Sequence, residues 1–422
     1  MKLWSKYLWP MRRITTWALL VAASTGLPLR AQNAPRGIAM PFTVTGGILV
    51  TERPQLEDPS GSTVRAGFRA VLYPTLKLGP RWFVYSALHA HSEPFFYYEA
   101  YDPELEAKAE VIQAFLGYSW TAEKKAFNIK LGKLPSAFGA FPLRYDDTAN
   151  PLLDQPMSYA YRVKLRPDQL PCGVADLLHQ REYALDVHHY CGGATEEHYG
   201  MIPATLYGLP GVEINVGWQK LDARLQLVNS SPANPQSLLS ESQHVQWTAG
   251  AGFTIWQGFR VGVSGFRGPF LEQDVSNLLP SGSSTRDYPA TGVGTDIQWA
   301  RGRWSASAEW QRFQFNYPRF RTSPAVSDGY VEVKAILHPR FYTALRAGYE
   351  NHGRVEDVKG VTSESFLPNR QSYEFAMGYY LNRFQTLKIG YEWLKTKGVS
   401  GTRENVFGVQ LVTSVHSLAK AF

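Results

Sequence analysis

The chain of 422 residues holds only two cysteines, Cys172 and Cys191, too few for a disulfide scaffold. Past its first 31 residues it has no run of 18 apolar residues, so none of its helices is suited to cross a bilayer. Charged residues are sparse at 19% and hydrophobic residues reach 44%, which excludes long disorder. Neither Gly-x-Ser-x-Gly nor His-Glu-x-x-His occurs, so two common hydrolase signatures are missing. Fixed repeats of about 40–50 residues are also missing, which argues against a propeller.

Charge of one sign gathers at the start. Lys2, Lys6, Arg12 and Arg13 precede the apolar run 14–29, and small residues lead to Ala31. This is the order of a secretory signal, and residues 1–31 are read as one. The apolar run has 16 residues. That is short for a span, which needs about 20. Removal of the segment takes away five bases, Arg30 included, and no acid, so the formal net charge of +7 falls by five. The basic balance therefore belongs to the address, and no nucleic-acid partner is expected.

What the remaining residues 32–422 do have is alternation. Val212, Ile214, Val216 and Trp218 alternate with Glu213, Asn215 and Gly217, and Trp304, Ala306, Ala308 and Trp310 with Ser305, Ser307 and Glu309. This period of two marks strands with unlike faces. Sixteen strands are predicted near 41–53, 63–77, 81–92, 107–120, 126–135, 211–218, 222–230, 244–256, 259–268, 290–299, 303–317, 328–337, 341–351, 372–381, 385–396 and 404–416. Fourteen or eighteen strands stay open, because residues 201–207 also read as extended. Tight turns such as 78–80, 257–258 and 300–302 alternate with longer gaps rich in Pro, Gly, Ser, Asn and Asp. Short turns at one end and long loops at the other describe an all-β, antiparallel, up-and-down transmembrane barrel with a long third extracellular loop. A closed barrel satisfies every backbone group in lipid, which an open sheet does not. Aromatic residues reach 14% and gather near strand ends, as interfacial girdles require.

If the apolar face meets lipid, the other face lines a lumen, and sixteen strands are wide enough to hold water. The expected pore lining includes Arg65, Arg69, Lys130, Arg224, Arg260, Arg303, Lys334, Arg346 and Lys388. Opposing them are Glu110, Glu213, Asp222, Asp296, Glu309, Glu332, Glu350, Glu374 and Glu392. Nine bases against nine acids predict a polar wall with little ion preference, since rings of one sign set selectivity.

The gap 136–210 is far longer than an ordinary loop, and loops of that length are functional or disordered. It contains Cys172 and Cys191, 19 apart in an exported chain, so a disulfide is expected. A bridge of that span contributes about 3 kcal/mol in the chain-entropy model. Folded into the lumen, the loop would narrow the pore with Tyr159, Tyr161, Arg162, Lys164, Arg166, Asp168, Arg181 and Glu182. The alternative is an external lid. His188, His189, Glu196, Glu197 and His198 share this loop without the spacing of a standard metal site. Asp146, Asp147 and Asp154 offer fewer oxygens than calcium needs. No metal or cofactor is expected.

The passage Ile-Lys-Leu-Gly-Lys-Leu-Pro-Ser-Ala-Phe-Gly-Ala-Phe-Pro-Leu-Arg-Tyr-Asp-Asp at 129–147 leaves a strand and enters the long loop. It resembles the strand-to-loop passage of phosphate-selective-type and related sixteen-stranded porins of the bacterial outer membrane. The stretches Gly208-Leu-Pro-Gly211 and Asn229-Ser-Ser-Pro-Ala-Asn234, and the final Phe422, are similar to such porin-like proteins as well. The resemblance implies passive diffusion of small hydrophilic solutes or ions, an outer-membrane location in a Gram-negative bacterium, and often a homotrimer. Lys130 and Lys133 are not joined by the lysine ladder of a phosphate channel. The competing readings are a closed structural or adhesive barrel plugged by the long loop, and a barrel-embedded hydrolase.

Overall fold

A computed structural model describes residues 37–51, 63–92, 107–160, 163, 165–182, 204, 207–229, 244–360, 363–397, 403–415 and 419–421. Sixteen antiparallel strands close into one barrel. They are β1 (Phe42–Thr51, preceded by Gly37–Ala39), β2 (Val64–Leu72, continued by Thr75–Lys77), β3 (Trp82–Ser92), β4 (Ala107–Ala122), β5 (Lys125–Pro135) and β6 (Tyr207–Trp218). Then follow β7 (Leu221–Val228), β8 (Gln246–Trp256), β9 (Phe259–Pro269), β10 (Pro289–Arg301) and β11 (Trp304–Phe315). The last are β12 (Ala325–His338), β13 (Phe341–His352), β14 (Arg370–Tyr380), β15 (Gln385–Thr396) and β16 (Arg403–Val415, followed by Ala419–Ala421). Each strand pairs with its neighbours in sequence, and β16 returns to β1 with Phe42 opposite Val415 and Thr51 opposite Val406. The strand number expected from alternation is correct. β6 begins at Tyr207, four residues earlier than alternation alone suggests, and carries Pro210 opposite Lys133.

The two faces separate as a period of two demands. Ile48, Val331 and Leu345 point outward and are 51%, 54% and 57% exposed, while Thr45, Glu332 and Arg346 beside them are buried. Such an apolar belt is a lipid-facing surface. Trp82, Trp120, Trp218, Trp256 and Trp304 stand exposed at the tight-turn ends of their strands, and Trp247, Trp310 and Tyr373 lie toward the other end. Above Trp310 the pattern on β11 inverts: Arg312 and Gln314 face out, and Phe313 and Phe315 are fully buried. The tight turns use the backbone their residues permit. Gly258 has φ +92°, a left-handed conformation that costs glycine nothing. Among the described residues no helix is long and apolar enough to cross a membrane; the barrel crosses with strands.

The outer half of the barrel is not simply water. Phe138, Phe141, Tyr159, Leu165 and Leu170 of the long loop pack with Phe266, Phe313, Phe315, Val326 and Tyr330 of the wall in one buried apolar cluster. Three short strands, Phe320–Thr322, Arg354–Asp357 and Ser363–Ser365, form a separate sheet among the long loops.

Candidate functional site: the loop seated in the barrel

The loop enters the lumen directly after β5. Gly139, with φ +73°, makes the first turn, and a side chain there would collide with the Tyr159 hydroxyl. This is the glycine of the Phe-Gly pair in the motif above. Its carbonyl accepts from Arg224 on β7, and its N–H donates to Ser264 Oγ on β9 at 3.1 Å. Next, the Ala140 N–H and the Tyr159 hydroxyl both donate to Glu309 Oε2 on β11, at 3.0 and 2.6 Å. Tyr159 sits in the short helix α1 (Met157–Ala160), and the Phe141 ring lies against its ring at 5.2 Å, tilted by 34°. Arg144 donates to Glu332 Oε1 and to the Tyr330 hydroxyl on β12, each at 2.9 Å.

The loop then crosses to the far side. Asp147 pairs with Arg69 on β2 and accepts from the Thr45 hydroxyl on β1 at 2.5 Å. Burial alone would raise the Asp147 carboxyl, but the charges of Arg69 and Lys388 outweigh it and hold its pKa below the usual carboxylate value. Lys388 on β15 donates to three loop carbonyls, those of Asp147, Asn150 and Leu152, at 2.7, 2.7 and 3.1 Å. Arg346 on β13 donates to Asp154 O and Asn150 Oδ1 at 2.9 and 3.1 Å, and also bridges Glu332 and Glu374. Gln410 on β16 donates to Leu153 O at 2.9 Å. Four of the wall's inward charges, Arg224, Glu309, Arg346 and Lys388, thus bond the loop backbone, and such charge-assisted bonds are the strong ones.

The remaining expected residues divide clearly. Lys130 pairs with Glu213 at 2.8 Å, and Arg260 binds Asp222 and Asp296 at 2.6 and 2.7 Å, all along the wall. Lys334 stands over the Tyr342 ring at 4.2 Å. Arg65 is half-buried on β2, and Glu392 is buried beside Leu153 and Gln410. Arg303 is exposed in the tight turn before β11, outside the wall proper. Of the loop's expected constriction group, Tyr159 and Arg166 are buried, Arg166 against Asp168 at 3.0 Å. Tyr161, Arg162 and Lys164 lie outside the described residues, as do Cys191 and the His188–His198 group. Arg181 lies in helix α2 (Val174–Glu182). Cys172 is not a free cysteine. The polar ties to the wall run from Gly139 to Tyr159, in the first part of the loop, and apolar side chains as far as Leu170 pack against it. Sequence reasoning passed over Arg144 and Asn150; the signal was there, in charged and amide residues interrupting the apolar stretch 138–153.

Below the loop, on the tight-turn side, a cavity of about 450 Å³ is lined by Asp147, Thr148, Lys334, Arg340, Tyr342, Tyr380, Arg383 and Lys388 among others. Four cations meet one acid there, and that acid is already paired with Arg69.

No protein-family model and no curated protein matches the chain. Solved structures do. The outer-membrane channel DcaP of Acinetobacter baumannii matches with TM-score 0.51 and 11% identity, covering 90% of this chain and 98% of that one. OprB of Pseudomonas putida matches with TM-score 0.51 and 10% identity, over 90% of this chain and 94% of that one. The anion-selective porin from Comamonas acidovorans matches with TM-score 0.50 and 9% identity, over 90% and 98%. The likeness is one of fold: the chain has the architecture of bacterial outer-membrane porins.

Proposed function

We propose that the protein is a channel rather than a catalyst, passing small hydrophilic solutes or ions passively across the outer membrane of a Gram-negative bacterium. Residues 1–31 act as its export signal, Cys172 and Cys191 close the outer part of the loop, and the barrels assemble as homotrimers. The observation that carries the reading is the loop seated across the lumen with a cationic cavity beneath it. A wide barrel narrowed by an inserted segment is a design for size selection. Lys334, Arg340, Arg383 and Lys388 give the passage an excess of positive charge on its tight-turn side. Anions are therefore preferred, against the balance of nine and nine that alternation alone suggests.

Purified protein reconstituted in planar bilayers should give stepwise conductance, and a potassium chloride gradient should give a reversal potential of the anion-selective sign. Lys334→Glu with Arg383→Glu should move that potential toward cation selectivity. Well-folded protein that gives no current would sink the channel reading. One observation favours a second reading in that event. The loop bonds to the wall on both sides, from Glu309 on β11 to Thr45 on β1. A segment so held also serves as the plug of a closed structural barrel.

A further inference from the structure

His89 and His91 lie two residues apart on β3, hence on one face of the strand. Both are buried in the lumen wall, 5% and 8% exposed, with rings 4.3 Å apart and 7° from parallel. Glu110 on β4 stands opposite His89 in register. His89 Nδ1 is 3.3 Å from Glu110 Oε1, and His91 Nε2 is 4.0 Å from the same oxygen. One ligand atom from each of the three residues lies within 4.8 Å of the other two.

A tetrahedral zinc bound at about 2.0–2.2 Å sets its ligand atoms roughly 3.3–3.5 Å apart. The His89–Glu110 pair already has that separation and the His91–Glu110 pair is about half an ångström wide of it. The two imidazole nitrogens lie within 4.8 Å of one another, and the stacked rings must rotate out of their parallel arrangement to turn both lone pairs onto one ion. Two imidazoles and one carboxylate suit zinc, copper, nickel or iron; calcium and magnesium take oxygen alone. The surroundings tolerate a cation. Arg69 stands beside His91 in register, but its charge is committed to Asp147. Asp146 and Asp147 of the seated loop line the same small space as His89. Lys133 is the cation that interacts with Glu110.

We propose that His89, His91 and Glu110 form a three-ligand site for a divalent transition-metal ion of the zinc class on the lumen wall. Three protein ligands leave a coordination position for water or a passing solute, the arrangement of an exchangeable rather than a closed structural site. All three residues are placed by β3 and its pairing with β4, not by the long loop's own backbone. The site therefore stands whether or not the barrel conducts.

The chain has ten histidines, so the test compares variants. Refolded protein in detergent micelles is titrated with zinc chloride by calorimetry, and with cobalt(II) followed by its visible absorption. Wild type should show one strong step and a cobalt band that zinc displaces, while excess calcium displaces nothing. The double variant His89→Asn with His91→Asn should lose the strong step and the band. Glu110→Gln, a gentler change, should weaken binding by at least the roughly 10–100-fold that altering a ligand's supporting partner costs. Circular dichroism checks that each variant keeps the barrel. A wild type with a native spectrum and no strong step overturns the proposal. So does a strong step of equal affinity in the double variant, or calcium displacing the cobalt.

Discussion

Lys388 shares one ammonium among three carbonyls of the loop, and its donors are used up in doing so. Lys388→Met keeps the length and removes the charge. Three carbonyls then lose their donor in a buried place, each at a cost of about 1–3 kcal/mol where water cannot enter. Hydrogen exchange should quicken across residues 147–153 and leave the strands unchanged; unchanged exchange in that stretch would mean the contact does not hold the loop. Arg346 is placed differently, between two acids. Arg346→Ala takes the cation from buried Glu374, while Glu332 keeps Arg144. Breaking a buried pair this way costs about 3–5 kcal/mol. The denaturant midpoint should fall accordingly, and Glu374→Gln in the same chain should restore part of the loss. The tie at Asp147 carries a pH dependence. Its folded pKa lies below the unfolded value, so its contribution is complete above the unfolded pKa of about 4. It fades progressively as the pH falls below that value and is gone once the pH is under the lowered folded value. Protection of residues 145–149 should therefore hold above about pH 4, weaken steadily below it and fail in stronger acid, and Asp147→Asn should remove that acid transition.

At the scale of elements, the long loop has two parts with separate work. Residues 139–159 make the polar ties to the wall, whereas Cys172 and α2 follow them, and α2 packs in the apolar outer cluster through Val174 and Leu177. Cys172→Ser or reduction should alter gating through the outer part while the ties of Lys388 and Arg346 stay in place. A current unchanged in amplitude and gating would leave the narrowing to residues 139–159 alone. The strands were legible because each carries its own period of two, which needs no knowledge of its neighbours. The start of β6 was not, because Gly208, Pro210 and Gly211 break the pattern just where pairing with β5 continues. The seat of the loop was not legible either. Its partners, such as Lys388 for Asp147, lie 241 residues away, and a non-periodic segment gives no sign of which wall it meets. His89 and His91 were not singled out from the sequence; their two-residue spacing puts them on one face, but the register that brings Glu110 to them lies in the pairing of β3 with β4.

At the scale of the molecule, the exterior decides where the protein lives. Leu345 lies near the middle of β13 and is among the most exposed residues of the belt. Leu345→Arg should lower stability in lipid vesicles by roughly 2–4 kcal/mol if that position meets the bilayer midplane. Equal stability of the two proteins would show that this face does not meet lipid. The same substitution at Trp218, by the tight-turn rim, should cost far less, about 0–1 kcal/mol, because a long side chain there reaches water.

The seam between β1 and β16 joins the two ends of the chain with no hairpin to hold it. Leu153 rests against both sides of that seam: a side chain at Gly408 would press on Leu153 and on Leu49 together, 2.6 Å from each. Leu153 O also takes the amide of Gln410 on the last strand. These contacts cannot exist until the final hairpin has arrived, so the loop's hold on the junction is completed only as the barrel closes. Folding should thus end in a single late event that registers circle and loop together, and slow closure is what contacts of such long sequence separation impose.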